Sequence, residues 1–239
     1  MSTINVDNIL AAYSSQGVVN LNGTNVSYNA GGSIIGIGQG ALQMCTGINN
    51  VALGKTALSN IITGDDNTAV GHGALNSTLG NNNTAIGYVA GAANSTGGNN
   101  VFIGHGAEGS SITASNAITL GNTANTVLRC AVTSITSLSD KRDKKEIKVL
   151  PVGLDFVNGL KPVKFVWNDR EENGKHDVAD FGFIAQDLKA SQEKAEMADI
   201  LKLVYEENPE KLEASYGKLI PILVKAIQEL SAQVELLKK

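Results

Sequence analysis

A dipeptide ending in glycine recurs six times in the first half of this chain, and its period limits what that half can become. Ile37-Gly38, Leu53-Gly54, Val70-Gly71, Ile86-Gly87, Ile103-Gly104 and Leu120-Gly121 stand at glycine spacings of 16, 17, 16, 17 and 17. Each copy reads roughly Asn-Thr-Ala-Ile-Gly-x-x-Ala-Leu, as in Asn67-Thr68-Ala69-Val70-Gly71-His72-Gly73-Ala74-Leu75. So short a period has room for two short strands and two turns, whereas a helix pair needs roughly thirty residues or more. The alternation in Thr84-Ala85-Ile86-Gly87 fits a strand. A glycine once per coil suits close backbone packing or a positive φ. Asparagine before each strand suits a turn, since its side chain bonds local backbone and tolerates left-handed angles. One coil cannot bury its apolar face, so coils must stack into a solenoid. The inward side chains are expected to be small (Ala, Val, Ile). The core per coil is then thin, which favours several chains sharing one apolar surface.

The repeat is similar to the head repeats of trimeric adhesins over about residues 33–125. That resemblance implies a left-handed parallel β-roll, with three chains around one axis. The residue after each repeat glycine is Gln39, Lys55, His72, Tyr88, His105 or Asn122. His72 and His105 are therefore equivalent positions, and in a trimer they could form rings that hold an anion or a metal. The bland alternative is an ordinary surface or axis-facing side chain, and the variation at this register favours it.

Charge splits the chain near residue 139. Only Asp7, Lys55, Asp65, Asp66, Glu108 and Arg129 are charged before Ser139, and 36 charged residues follow. Twenty-one of the 26 glycines precede Ser139, and all four prolines follow it. The net charge of −4 gives no electrostatic reason to expect nucleic acid or an anionic membrane as partner. Cys45 and Cys130 lack a framework spacing and read as two buried thiols, without a disulfide scaffold or zinc site. The first residues lack the basic start and apolar core of a signal peptide. No apolar run approaches the roughly 20 residues of a spanning helix. No cofactor and no metal is expected.

The second half reads as α+β. Residues 131–138 alternate like a strand. Residues 152–160 form a short helix ended by Gly159. Residues 163–168 form a strand, 169–179 its turn, and 181–186 the returning strand. A helix is expected from Asp187 to about Tyr205. The seam Ile220, Leu223, Ile227, Leu230, Val234 and Leu237 follows a 3-4 spacing, as in a coiled coil. Its Ile/Val and Leu choice favours a dimer in an isolated parallel coil, so a seam this short either yields to its parent domain or packs within its own chain.

This half resembles the intramolecular chaperone of phage tail spikes and fibres, the S74 peptidase family, over about residues 135–239. The resemblance rests on Ser139-Asp140-x-Arg142-x-Lys144, Ile147, Gly159-Leu160-Lys161-Pro162-Val163-x-Phe165-x-Trp167 and Gly182-Phe183-Ile184-Ala185-Gln186-Asp187. It implies a domain that helps three β-rich chains fold in register and then cuts itself off. Ser139 would be the nucleophile and Lys144 its general base, with Asp140, Arg142, Gly182 and Gln186 as supporting motif residues. The activity would be a single turnover on the chain itself. The chemistry is coherent: a serine hydroxyl needs a base. A lysine serves only when neutral, which burial and neighbouring cations favour. Lys141, Arg142 and Lys145 could supply that field, and Asp140 and Asp143 oppose it. Without the motif, Ser139-Asp140 would read as a simple cap.

The expected organisation is an N-terminal attachment segment (1–32), a β-roll shaft or head (33–130) and a self-releasing chaperone (131–239). The chain is expected to be a homotrimeric phage tail fibre or appendage, assembled in the host cytoplasm and carried on the virion. Its N-terminus would join the tail, and the shaft could meet a host-surface receptor, without membrane insertion. Cleavage is expected at Leu138-Ser139, with Ser139-Asp140 as the other candidate. The alternatives are a bacterial trimeric surface adhesin and a fibre whose chaperone is retained uncut. A membrane-tethered transcription factor, another class carrying this chaperone, would need a DNA-binding domain and a spanning helix.

Overall fold

The computed structural model describes residues 17–21, 24–29, 33–125, 127–131, 135–168 and 177–238. The chain divides into two compact units, Met1–Asn125 and Thr126–Lys239. In the first unit, β1 (Gly17–Leu21), β2 (Thr24–Asn29) and β3 (Ile34–Ile37) pair antiparallel in sequence. From β3 onward the sheet is parallel and advances one coil at a time. It runs through β4 (Val51–Leu53), β5 (Thr68–Val70), β6 (Thr84–Ile86), β7 (Val101–Ile103) and β8 (Ile118–Leu120). The repeat therefore builds a parallel β-solenoid.

Each coil carries one three-residue strand, not two. The side where a second strand had room is a run of turns, because Leu42, Leu58 and Leu75 adopt φ of 52°, 51° and 49°. Left-handed backbone costs a non-glycine residue about 1–2 kcal/mol. Burying a leucine returns about 1.5–3 kcal/mol. These three are at most 5% exposed, so burial wins. Gly91 takes the same place one coil later, because Phe102 replaces the alanine of the strand row. A Cβ on Gly91 would lie 2.5 Å from the Phe102 ring. The repeat glycines serve close approach: at Gly87 φ is +141° and a Cβ would stand 2.4 Å from the Gly104 carbonyl oxygen.

On β4, β5 and β6 the inward residue is alanine, the smallest of those expected, while the turn side buries larger leucines. Ala52, Ala69 and Ala85 point into the coil, while Leu53 and Ile86 beside two of them are 46% and 45% exposed, and Ile103 beside inward Phe102 is 41% exposed. The period-2 rule puts alternate residues on opposite faces. Alanine at the middle position thus turns its aliphatic neighbours outward.

Asparagine does more than shape turns. Asn50, Asn67, Asn83 and Asn100 are fully buried and form a ladder. Their amides donate across the coil to the carbonyls of Gly64 (2.7 Å), Gly80 (3.0 Å), Gly97 (3.0 Å) and Ala114 (2.6 Å). Each Oδ1 accepts the backbone N–H one coil on: Asn67, Asn83, Asn100 and Ala117, at 2.9, 2.9, 3.1 and 3.0 Å. Cys45 is buried beneath Asn50, and burial pushes its thiol pKa up. Cys130 is exposed, against the expectation of two buried thiols.

In the second unit, α1 (Leu154–Asn158) ends at Gly159, and β9 (Val163–Val166) pairs antiparallel with β10 (Ala179–Gly182). The returning strand ends at Gly182, and α2 (Ala185–Lys194) begins two residues earlier than read. That helix does not reach Tyr205. It breaks at Glu196 (φ 55°), followed by α3 (Ala198–Leu201) and Lys202 (φ 44°), and β11 (Val204–Tyr205) pairs with β12 (Glu213–Ala214). Buried Gln192 fastens the break by accepting from Leu203 N at 2.9 Å. Helix α4 (Leu219–Leu237) packs Leu219, Ile222 and Ala226 inward, with Leu219 and Ile222 against Val152, Leu201 and Leu203. Of the expected strand 131–138, residues 135–138 are not a strand, and 132–134 lie outside the described residues. Most of the 169–179 turn lies outside them too.

Asn83→Ala should cost about 2 kcal/mol in chemical denaturation, because it strands the buried Asn100 N–H, while the Gly97 carbonyl keeps its second donor, Asn94 Nδ2. Exposed Thr96→Ala in the neighbouring turn should cost under about 0.5 kcal/mol.

Candidate functional site

Ser139 and Lys144 are five residues apart, and a single 3-10 turn, Lys141–Asp143, folds them together. Asp140 caps that turn by accepting from Arg142 N at 2.8 Å. The turn closes with Lys144 N donating to Lys141 O at 3.1 Å. As a result Lys144 Nζ stands 2.6 Å from Ser139 Oγ and 3.2 Å from the Ser139 carbonyl oxygen. The Nζ–Oγ contact is a hydrogen bond in either direction, and a base role requires the neutral amine with the hydroxyl donating to it.

Electrostatics around the pair differ from the expectation. Arg142 is bound to Asp140 through Nε (3.1 Å) and Nη2 (2.6 Å), so its charge is spent locally. The guanidinium holds the Asp140 carboxyl below its ordinary pKa range. Lys141 and Lys145 remain as neighbouring cations in sequence. Ser139, Lys144 and the whole turn are exposed in the single chain. Leu138 and Ile135 beside them are 98% and 99% exposed. One chain therefore aligns the pair but leaves it in water.

Gly182 and Gln186 do not join this cluster. Among the described residues neither hydrogen-bonds Ser139 or Lys144. Gly182 instead makes room for Tyr216, whose hydroxyl would lie 2.6 Å from a Cβ there. That hydroxyl accepts from Phe183 N (3.0 Å) and donates to Phe183 O (3.3 Å), and the two rings meet edge-on. Tyr216 thus locks the hairpin to the C-terminal segment. Exposed Gln186 lines an open groove of about 620 Å³ with Phe165, Trp167, Phe183 and Leu212. Sequence reading missed Tyr216, and also Glu229. The Glu229 carboxylate accepts from Leu154 N at 2.7 Å, and this bond draws its pKa down. Gly153 leaves the space: a Cβ would lie 2.3 Å from Glu229 Oε2.

The C-terminal seam is present and unused. Ile220, Leu223, Ile227, Leu230, Val234 and Leu237 are 42–87% exposed, while the helix buries a different face. Packing of the seam within its own chain is therefore not what the fold does. His72 and His105 do not meet either, because Tyr88 stands between them.

Residues 139–196 match the family model of Peptidase S74, described as the chaperone of endosialidase. The chain carries an S74 chaperone domain near its C-terminus. The match to S74 opens on Ser139 and spans Lys144, Gly182 and Gln186. No curated protein and no solved structure matches this chain. Among the described residues no helix is long and apolar enough to cross a membrane.

Gly182→Ala should destabilise the C-terminal unit by about 1–3 kcal/mol through overpacking against Tyr216. A thermal melt checks this, and Tyr216→Phe added to it should recover part of the loss.

Proposed function

We propose that this chain is a homotrimeric phage tail fibre or appendage protein, whose S74 domain drives trimer folding and then releases itself by cutting beside Ser139. The observation that carries the reading is the 2.6 Å contact between Lys144 Nζ and Ser139 Oγ, inside the segment that matches the family. Neutral Lys144 takes the Oγ proton, and Oγ attacks the Leu138 carbonyl through a five-membered ring. Lys144 returns the proton to the departing nitrogen as the C–N bond breaks, so the Leu138–Ser139 amide becomes an ester with a free Ser139 amine. Water then hydrolyses the ester, leaving a Leu138 carboxylate and regenerating the hydroxyl. Attack on the Ser139 carbonyl itself would close a strained four-membered ring. The 3.2 Å contact of Nζ with that carbonyl oxygen keeps Ser139-Asp140 as the second candidate bond.

Assembly supplies what the lone chain lacks. Aliphatic rows on the solenoid and the α4 seam await partners of the same kind. Burial of the Lys144 turn between chains would favour the neutral amine that the reaction needs. Cleavage then follows assembly and removes the route back, so the product is held by its unfolding barrier.

A denaturing gel with intact masses should show two fragments for the parent chain, of 138 and 101 residues for the Leu138-Ser139 bond, and one full-length band for Ser139→Ala. Full-length chain in both lanes would leave a retained trimerisation domain. Leu223→Asp with Leu230→Asp should abolish both the trimer in sedimentation and the cleavage on the gel. In the single chain these exposed positions should matter by only about 0.5 kcal/mol each.

A further inference from the structure

The groove of about 620 Å³ in the second unit joins an apolar floor to acidic edges. Phe165 of β9 and Trp167 just after it are two residues apart, on one face, and meet edge-on at 5.3 Å. Trp167 Nε1 donates to Asp180 Oδ2 at 3.1 Å, across the hairpin, and Tyr216 pins the backbone of Phe183. The floor is therefore held in shape before anything enters it. Exposed Glu210 and Glu213 line the same groove, with Lys211 between them in sequence. Residues 205–213, which join β11 to β12, hold four carboxylates and one lysine.

The stretch around Ser139 has the complementary make-up. Ile135 and Leu138 are 99% and 98% exposed. Residues 141–148 are exposed too, and hold five bases and two acids. Asp140 takes φ −65° and ψ 138°, close to polyproline-II geometry. That geometry repeats every three residues. Carried back along the stretch, it puts Ile135 and Leu138 on one side, about 9 Å apart. Aromatic-lined grooves take extended segments of this kind, and acidic edges suit the lysines that follow. The chain's own stretch nevertheless lies in water, outside its own groove.

We propose that this groove receives residues 135–138 of a second copy of the chain. Leu138 and Ile135 settle on Phe165, Trp167 and Leu212, and Lys141 and Lys145 face Glu210 and Glu213. Gln186, which also lines the groove, offers its side-chain amide to the incoming backbone. Lys144 stays on Ser139 Oγ. Docking holds the Leu138 carbonyl still and takes the Ser139–Lys144 pair out of water, and it does so only once two copies have met. Cutting is then tied to assembly by a named contact. The inference rests on the self-association proposed above and adds which two surfaces meet.

The test is disulfide trapping in full-length Ser139→Ala, where the stretch stays attached. Cys130→Ser removes the exposed native thiol, and Cys45 is buried. Leu138→Cys with Leu212→Cys should then give chain-to-chain disulfides on a non-reducing gel, and neither cysteine alone should. Trp167 is the chain's one tryptophan, so its emission reads the groove without a cysteine. Leu138→Asp added to Ser139→Ala should shift that emission to the red and raise acrylamide quenching severalfold. Should the double-cysteine chain fail to fold, this second measurement decides. A disulfide confined within single chains overturns the second copy as occupant. A trimer by native mass spectrometry with no disulfide, or with Trp167 equally quenched in both chains, overturns the docking and leaves self-association standing. Ser139→Ala at single-chain mass overturns both.

Discussion

Everything in the N-terminal unit depends on a buried asparagine that must be satisfied by two coils at once. Each ladder asparagine ties its own coil shut through a glycine or alanine carbonyl, and offers its oxygen to the N–H of the next coil. A coil without its neighbour leaves those groups unpaired in an apolar setting, at about 1–3 kcal/mol each. Among the described residues the ladder ends at Ala117, whose N–H meets Asn100 Oδ1 and whose side chain has no amide to pass on. Beyond it Ile118 and Leu120 are 73% and 55% exposed, so order in the sheet and order in the ladder stop together.

The same rule that aims alanine inward leaves a row of leucine, valine and isoleucine outside. Contiguous exposed apolar surface of several hundred Å² marks an interaction site. Every coil offers the same alanine, glycine and asparagine, so chains meeting along this row could pair one coil out of step. A domain that brings the chains together at one end removes that ambiguity. The S74 domain leaves an aliphatic seam on α4 and the Ser139–Lys144 pair exposed, which is the incompleteness the proposed self-association would resolve.

Much of this was legible in the residues. Glycine and asparagine at a fixed period specify stacked coils, and the Ser139-to-Lys144 spacing places both ends of one turn together. What was not legible depended on neighbours distant in sequence. Leucine at positive φ is locally unfavourable, so the turn side of each coil was read as a strand. The exchange of leucine for Gly91 is explained only by Phe102 in the next coil. The helix after Ala185 breaks because buried Gln192 captures Leu203, a contact no periodicity reveals. Gly182 was legible as a motif residue, but the room it leaves for Tyr216 was not. Arg142 looked like a cation for Lys144, and Asp140 holds it instead.

The central claim is that the exposed rows and the uncovered dyad are completed by two further copies of the chain. Native mass spectrometry of Ser139→Ala, which keeps every other residue, tests it most directly. The account predicts a particle three times the mass of the 24.9 kDa chain. A particle at the single-chain mass, at micromolar concentration, would contradict it.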